Sequence, residues 1–195
     1  AFSVTASGYY SVNVLRGMAS GLTAQYFNNM WLLGAPALSV VDPSVNFNWG
    51  TSSVQPAGGS GSVVLGSDYM SVRWSGYIMP ELAETYTFYA SADEGMRLRV
   101  DDQLLIDKWD SASTNYSATW RGGSVGALYS ISFEYRESTL SAFAYLEYAT
   151  ESISRQVIPQ EVLFSNAQHV YGSPFKLYAL PAILCATTST LTGPG

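Results

Sequence analysis

Residues Tyr86–Asp107 read YTFYASADEGMRLRVDDQLLID. Tyr86, Phe88 and Ala90 alternate with Thr87, Tyr89 and Ser91, the period-2 pattern of a strand that buries one face. The run Ser91–Gly95 breaks that pattern with an acidic loop closed by glycine. Met96, Leu98 and Val100 then form a second alternating run, with Arg97 and Arg99 on the opposite side. Asp101-Asp102 is a two-residue connection, and Gln103–Ile106 returns as a third strand. The stretch predicts two successive strand reversals, one tight and one bearing the carboxylate pair Asp93-Glu94.

The remaining sequence agrees with a strand-rich chain. Hydrophobic residues make up 47% and aromatics 14% of 195 residues, which is a folding composition and not a disordered one. No long stretch repeats apolar residues at helical spacing without Gly, Ser or Thr intervening. Short runs of Val, Tyr, Phe and Ile are punctuated by 17 Gly and 8 Pro, as in an all-β sandwich or barrel.

Charge narrows the partners. Nine Lys and Arg are spread singly in a chain of net charge −6, which argues against nucleic acid. No window approaches the ~18 consecutive apolar residues of a membrane-spanning helix. The first residues carry no signal-peptide layout, which does not place the chain in the cytoplasm. Cys185 stands alone, so it is either a buried thiol or paired beyond this segment. Asn115-Tyr116-Ser117 is an N-glycosylation sequon.

Working outward from the acidic loop, further strand-like runs follow in order. Upstream stand GLTAQYF (Gly21–Phe27), DPSVNFNW (Asp42–Trp49) and SVRWSGYIMP (Ser71–Pro80). Downstream stand GALYSISFEYRE (Gly126–Glu137), AFAYLEY (Ala142–Tyr148) and Ile158-Pro159. Over residues 18–164 this succession resembles the PA14 domain, the β-rich module named after the anthrax protective antigen. Within it, Met30–Pro43 and Trp109–Thr119 read as loops and Thr51–Gly66 as a Gly/Ser-rich one. Tyr129–Tyr135 and Ala142–Tyr148 read as a hairpin, and Ser152–Leu163 closes the module.

The flanks resemble something else. Joined across the module, GYYSVNVLRG and QHVYGSPFKLYALP are similar to the last two strands of a filamin-type immunoglobulin-like repeat. Residues 1–17 and 165–181 are then the interrupted strands, and 182–195 begins a following repeat. Insertion between neighbouring strands is inexpensive because domain termini lie close together. The expected architecture is an all-β PA14-like sandwich with flanking strands of filamin-like repeats, part of a longer multi-repeat chain or assembly. Extra strands of the PA14 sandwich itself are the alternative for the flanks.

Catalysis finds no support among the residues. The single histidine, His169, lies in a flank, and neither a G-x-S-x-G elbow nor a Cys/His constellation occurs. The chain is expected not to be an enzyme. Adjacent carboxylates in a loop do suit a hard cation, and the flocculin and adhesin branch of PA14 domains holds calcium at two consecutive aspartates. By that resemblance Asp93, Glu94 and Glu137 would ligate calcium, which would bind sugar hydroxyls. Against the branch's pattern, position 94 is Glu, and Glu137 stands where an asparagine is expected. The alternative is a solvated turn, with Asp93 bonding nearby backbone.

Asp107, Trp109, Asp110 and Tyr116 are candidates for sugar contact, the indole by stacking and the carboxylates by accepting hydroxyl protons, with packing in the core as the other reading of Trp109. Trp49, Trp74 and Trp120 read as core, and Arg73 and Arg97 as partners of nearby carboxylates. Asn115 is the glycosylation candidate. The resemblance implies a non-enzymatic extracellular or cell-surface structural or adhesion segment that binds glycans or neighbouring subunits. The alternatives are a metal-free packing module in a filament or wall assembly, and an accessory domain of a carbohydrate-active enzyme.

Overall fold

The structure is a computed structural model that describes residues 21–57, 65–111 and 115–166, with the backbone of two short strands nearer the ends. His169, Cys185, residues 58–64 and the segment 182–195 lie outside the described residues. The chain divides into two compact units, Ala1–Gly17 with Gln168–Gly195, and Met18–Ala167. In the first, β1 (Ser11–Val12) pairs antiparallel with β14 (Phe175–Lys176), Ser11 opposite Lys176 and Val12 opposite Phe175. That two-residue ladder joins the two flanking segments but does not define an immunoglobulin-like repeat.

The second unit holds two antiparallel sheets. The larger runs β3 (Leu38–Asp42), β2 (Leu22–Phe27), β5 (Met70–Ile78), β10 (Tyr129–Glu137), β7 (Met96–Val100) and β8 (Gln103–Lys108), with β13 (Leu163–Phe164) also on β5. The smaller runs β12 (Gln156–Val157), β11 (Ala142–Ala149), β6 (Thr85–Ala92) and β9 (Asn115–Arg121), with β4 (Asn46–Gly50) also on β11. Among the described residues the helical element is a 3-10 turn, Gln160–Val162, and no helix is long and apolar enough to cross a membrane.

The alternation in the sequence explains the faces. Tyr86, Phe88 and Ala90 of β6, Met96, Leu98 and Val100 of β7, and Ile131, Phe133 and Tyr135 of β10 are buried, their neighbours turned outward. One core receives side chains from both sheets. At its centre Trp74 of β5 stacks between Phe47 and Phe133, with centroids 5.6 and 5.8 Å away. Trp49 of β4 stacks on Tyr135 of β10 at 6.1 Å. Because β4 belongs to the small sheet and β5 and β10 to the large one, the Phe47–Trp74 and Trp49–Tyr135 pairs fasten the two layers. Each such burial contributes on the order of 2 kcal/mol.

A charged group sits inside this core. Asp42 is fully buried. Its Oδ2 accepts from the Tyr26 hydroxyl at 2.6 Å and the Trp74 indole N–H at 2.8 Å, and its Oδ1 from the Ala57 N–H at 2.9 Å. A buried carboxylate is tolerated only when its oxygens are met by donors in this way.

Several sequence expectations change. Asp101 and Asp102, at φ 51° and 58°, do form the expected tight left-handed turn. The other reversal is not a hairpin. β6 pairs with β9 and β11, whereas β7 pairs with β8 and β10 in the other sheet. Asp93-Glu94-Gly95 is therefore an arch between layers. The expected β10–β11 hairpin is likewise an arch, since β10 lies between β5 and β7 and β11 between β6 and β4. The loop Met30–Pro43 contains β3, and the loop Trp109–Thr119 gives way at Asn115 to β9. Local alternation is the same in a hairpin and an arch; burial of both inner faces decides between them.

Candidate functional site

The two arches lie side by side, and short contacts tie them. The Arg136 N–H donates to the Gly95 carbonyl at 2.9 Å. The Ser138 N–H donates to Glu94 Oε2 at 3.0 Å, and the Ser138 hydroxyl donates to Glu94 Oε1. Glu94 thus clasps the β10–β11 arch through both its oxygens. Gly95 is needed here because a Cβ would stand 2.7 Å from Arg136 Nε and closer still to the Trp109 carbonyl oxygen. Gly95→Ala is expected to lower stability by about 2 kcal/mol through overpacking, read as a shifted urea midpoint. A variant as stable as the parent would contradict this packing.

Two further segments complete this end. The Tyr69 N–H donates to the Ser138 carbonyl at 3.0 Å. The Ser71 hydroxyl donates to the Asn29 carbonyl at 2.5 Å and accepts from the Leu32 N–H at 3.1 Å. Asn29 Oδ1 accepts from the N–H groups of Trp31 and Leu33, an Asx turn that thrusts Trp31 outward. Trp31 is 54% exposed, Tyr69 62% and Leu140 75%. Leu32, Tyr69 and Leu140 hold φ of 56°, 55° and 85°. Non-glycine residues persist in that region only where surrounding structure imposes it, and such strain gathers at binding sites.

Arg136 links the rim. Its guanidinium lies 5.4 Å from the Trp31 ring and 5.6 Å from the Trp109 ring, and 3.5 Å from Asp110 Oδ1. Its Nε is buried with no hydrogen-bond partner.

The acidic residues differ sharply in environment. Asp93 is half-buried, and burial, then the charge of Glu94, raises its pKa. Glu137 is fully buried. The Tyr135 hydroxyl donates to its Oε2, while its Oε1 has no partner. Burial pushes Glu137 up to about 7; the Tyr135 hydrogen bond opposes the rise, and the charges of Glu94, Asp93 and Asp68 add to it.

The structure brings Asp93, Glu94 and Glu137 to one end but not into a cage. Among the described residues no group of three His, Cys, Asp or Glu side chains could hold a metal ion. Calcium bound by protein oxygens needs several convergent donors. Here Glu94 is folded onto Ser138, and Glu137 is buried against the Tyr135 hydroxyl. This geometry does not fit the calcium ligation implied by the resemblance.

The other sequence candidates are dispersed. Trp109 is buried, its ring covered by Arg97 at 4.6 Å and by Arg136, so it packs and offers no face to a sugar. Asp107 pairs with Arg97 Nε at 3.1 Å and accepts from the Trp109 N–H. Slight burial raises its pKa, but the Arg97 and Trp109 hydrogen bonds and the charges of Arg97 and Arg99 outweigh it, leaving it below its ordinary value. Asp110 is exposed against Arg136. Tyr116 stands on β9, half-buried, with Lys108 Nζ 4.8 Å from its ring centre. Asn115 is exposed at the start of β9 and accepts from the Ser91 hydroxyl.

Trp31, Tyr69 and Leu140 escaped the sequence reading. Their signal was the Asn-led turn Asn28–Gly34 and the Ser67-Asp68 turn before Tyr69, with nothing local to say that these loops meet. Together they offer apolar faces at the end where Arg136 holds the exposed Asp110, a combination suited to a polyol with C–H faces.

The PA14 domain family matches residues 18–161, and the chain belongs to that family. It is 35% identical over 164 residues to the anti-sigma-I factor RsgI3 of Acetivibrio thermocellus, covering 84% of this chain and 24% of that protein. The chain thus spans about a quarter of the curated relative. A solved anti-sigma factor domain-containing protein from Clostridium clariflavum is 36% identical with a TM-score of 0.65, covering 76% of this chain and 47% of that one. The epithelial adhesin 6 A domain from Candida glabrata, solved with Galb1-3GlcNAc, is 14% identical with a TM-score of 0.62, covering 80% and 92%. These findings correct the expected function. At 35–36% identity the likeness runs to anti-sigma factor proteins, and the adhesin likeness reaches the fold alone. The expected structural or adhesive segment, and its alternatives of a filament packing module or an enzyme accessory domain, are not what these relatives are named for.

Proposed function

We propose that this PA14 module is the ligand-sensing part of a regulatory protein of anti-sigma type, and that the two-arch end recognises a carbohydrate. The observation that carries the reading is the exposure of Trp31 and Tyr69 on strained loops tied to the two arches through Arg136 and Ser138. An indole face covers the C–H side of a pyranose ring while carboxylates accept its hydroxyl protons. The relatives at 35–36% identity support a regulator, and the adhesin domain solved with a disaccharide shares this fold. Recognition here runs through side chains directly, and no step passes through calcium. The task is binding, not catalysis, on the outer side of the cell where polysaccharides are met. Pairing of β1 with β14 supports reading residues 1–17 and 165–181 as strands of one interrupted filamin-like repeat.

Affinity electrophoresis through gels containing soluble polysaccharides tests the reading. At least one polysaccharide retards the chain, and Trp31→Ala and Tyr69→Ala each weaken retardation about tenfold, the loss of one stacking contact. Unchanged retardation in both variants, or none with any polysaccharide, overturns it.

A further inference from the structure

The outer face of the large sheet carries side chains in rows across the strands. One row reads Gln25, Arg73, Glu134, Arg97, Asp107. Every charge in it is matched: Arg73 to Glu134 at 2.9 Å, Arg97 to Glu134 at 3.7 Å and to Asp107 at 3.1 Å. The next row crosses the same strands and reads Thr23, Ser75, Ser132, Arg99, Leu104. Here Ser132 stands opposite Arg99, where the first row sets Glu134 opposite Arg97. Among the described residues Arg99 makes no ion pair, and it is exposed.

This mismatch opens onto a groove. A cavity of about 350 Å³ is lined by Ser75, Tyr77, Arg99, Asp102, Ser132 and Ser165, among others. Ser130 closes one side, its hydroxyl donating to Asp102 Oδ1 at 3.1 Å and accepting from the Asp102 N–H at 3.1 Å. That volume lies in the range of small-molecule sites. The polar groups of the lining are hydroxyls, one guanidinium without an ion-pair partner and one carboxylate set at the turn, with Gly76 and Ile131 between them.

We propose that this groove is a second binding site, for a carbohydrate unit that carries an anionic group. Arg99 takes the anion in the planar, two-pronged geometry that guanidinium offers a carboxylate. Ser75, Ser132 and Ser165 exchange hydrogen bonds with the sugar's hydroxyls, and Asp102 accepts a hydroxyl proton at the end away from the anion. A neutral sugar leaves Arg99 unmatched, and a bare anion leaves the serines unused, so the site selects both features at once. The groove shares no residue with the two-arch end and stands independently of the function proposed there.

Amide NMR titration of the full chain tests this, with D-glucuronate as probe and D-glucose and inorganic sulfate as controls. Glucuronate is expected to shift the amides of Ser75, Arg99 and Ser132. Arg99→Gln weakens that binding at least tenfold. So does Ser132→Glu, which places beside Arg99 the carboxylate that Glu134 supplies to Arg97. Trp31→Ala leaves it unchanged, which separates this site from the two-arch end. Glucose or sulfate binding as tightly as glucuronate overturns the proposal, as do variants that bind normally, shifts confined to other residues, or no shifts.

Discussion

Asp42→Ala is expected to cost about 4 kcal/mol of stability, enough to leave the module partly unfolded at room temperature. The estimate follows from what the carboxylate serves. Its removal strands the Tyr26 hydroxyl, the Trp74 indole N–H and the Ala57 N–H, and a buried donor left unmet costs roughly 1–3 kcal/mol. Tyr26 and Trp74 are themselves fully buried, so water cannot replace the lost acceptor without opening the core. Burial and the charge of Asp42 push the Tyr26 phenol far above its ordinary pKa, which keeps it a donor at every working pH. Against a total stability of about 5–15 kcal/mol, that loss is severe. Asp42→Asn retains one acceptor oxygen and should fall between. Urea denaturation of the three proteins decides the matter; an alanine variant with the parent's midpoint would show that the network adds nothing.

The second large effect is one of pH. Glu137 in the folded module titrates near 7, above its ordinary 4.5. A group whose folded pKa is raised stabilises the fold below its unfolded pKa and loses that contribution as pH rises through the folded value. The module should therefore weaken as pH climbs from about 5 to about 8, by at most about 3 kcal/mol. In melting temperature that is about 5–10 °C for a domain of this size. Asp93, also raised, acts in the same direction, while the lowered Glu84 and Asp107 change stability only in more acidic solution. Glu137→Gln keeps an oxygen for Tyr135 and removes the charge, so its melting temperature should be nearly flat over this window. It should also exceed the parent's at pH 8. Parallel profiles for parent and variant would assign the pH dependence elsewhere.

How far the sequence could be read depended on the range of the interaction involved. Period-2 alternation is a local property, so β6, β7 and β10 could be drawn from it, as could the Asp101-Asp102 turn, whose residues tolerate positive φ. The buried role of Trp74 and Trp120, and the carboxylate partners of Arg73 and Arg97, also followed from strand faces. Glu94, by contrast, meets Ser138, 44 positions away, and no spacing rule predicts that. Its carboxylate looked free for a cation because the residue that occupies it lies in another arch. Trp109 could be read either as packing or as a stacking surface, and the two arginines from β7 and β10 over its buried ring decide for packing.

What the sequence determined by itself was most of the strands (β3 and β9 read as loops), their inward faces and membership of the PA14 family, because each rests on neighbouring residues or on motif order. The tertiary structure alone decided which sheet each strand enters, and hence that the acidic turn is an arch and not a hairpin. It also decided which carboxylates are engaged and that Trp31, Tyr69 and Leu140 share one rim. The physical reason is that strand partners, burial and electrostatic environment are set by groups distant in the chain, which a local pattern does not record.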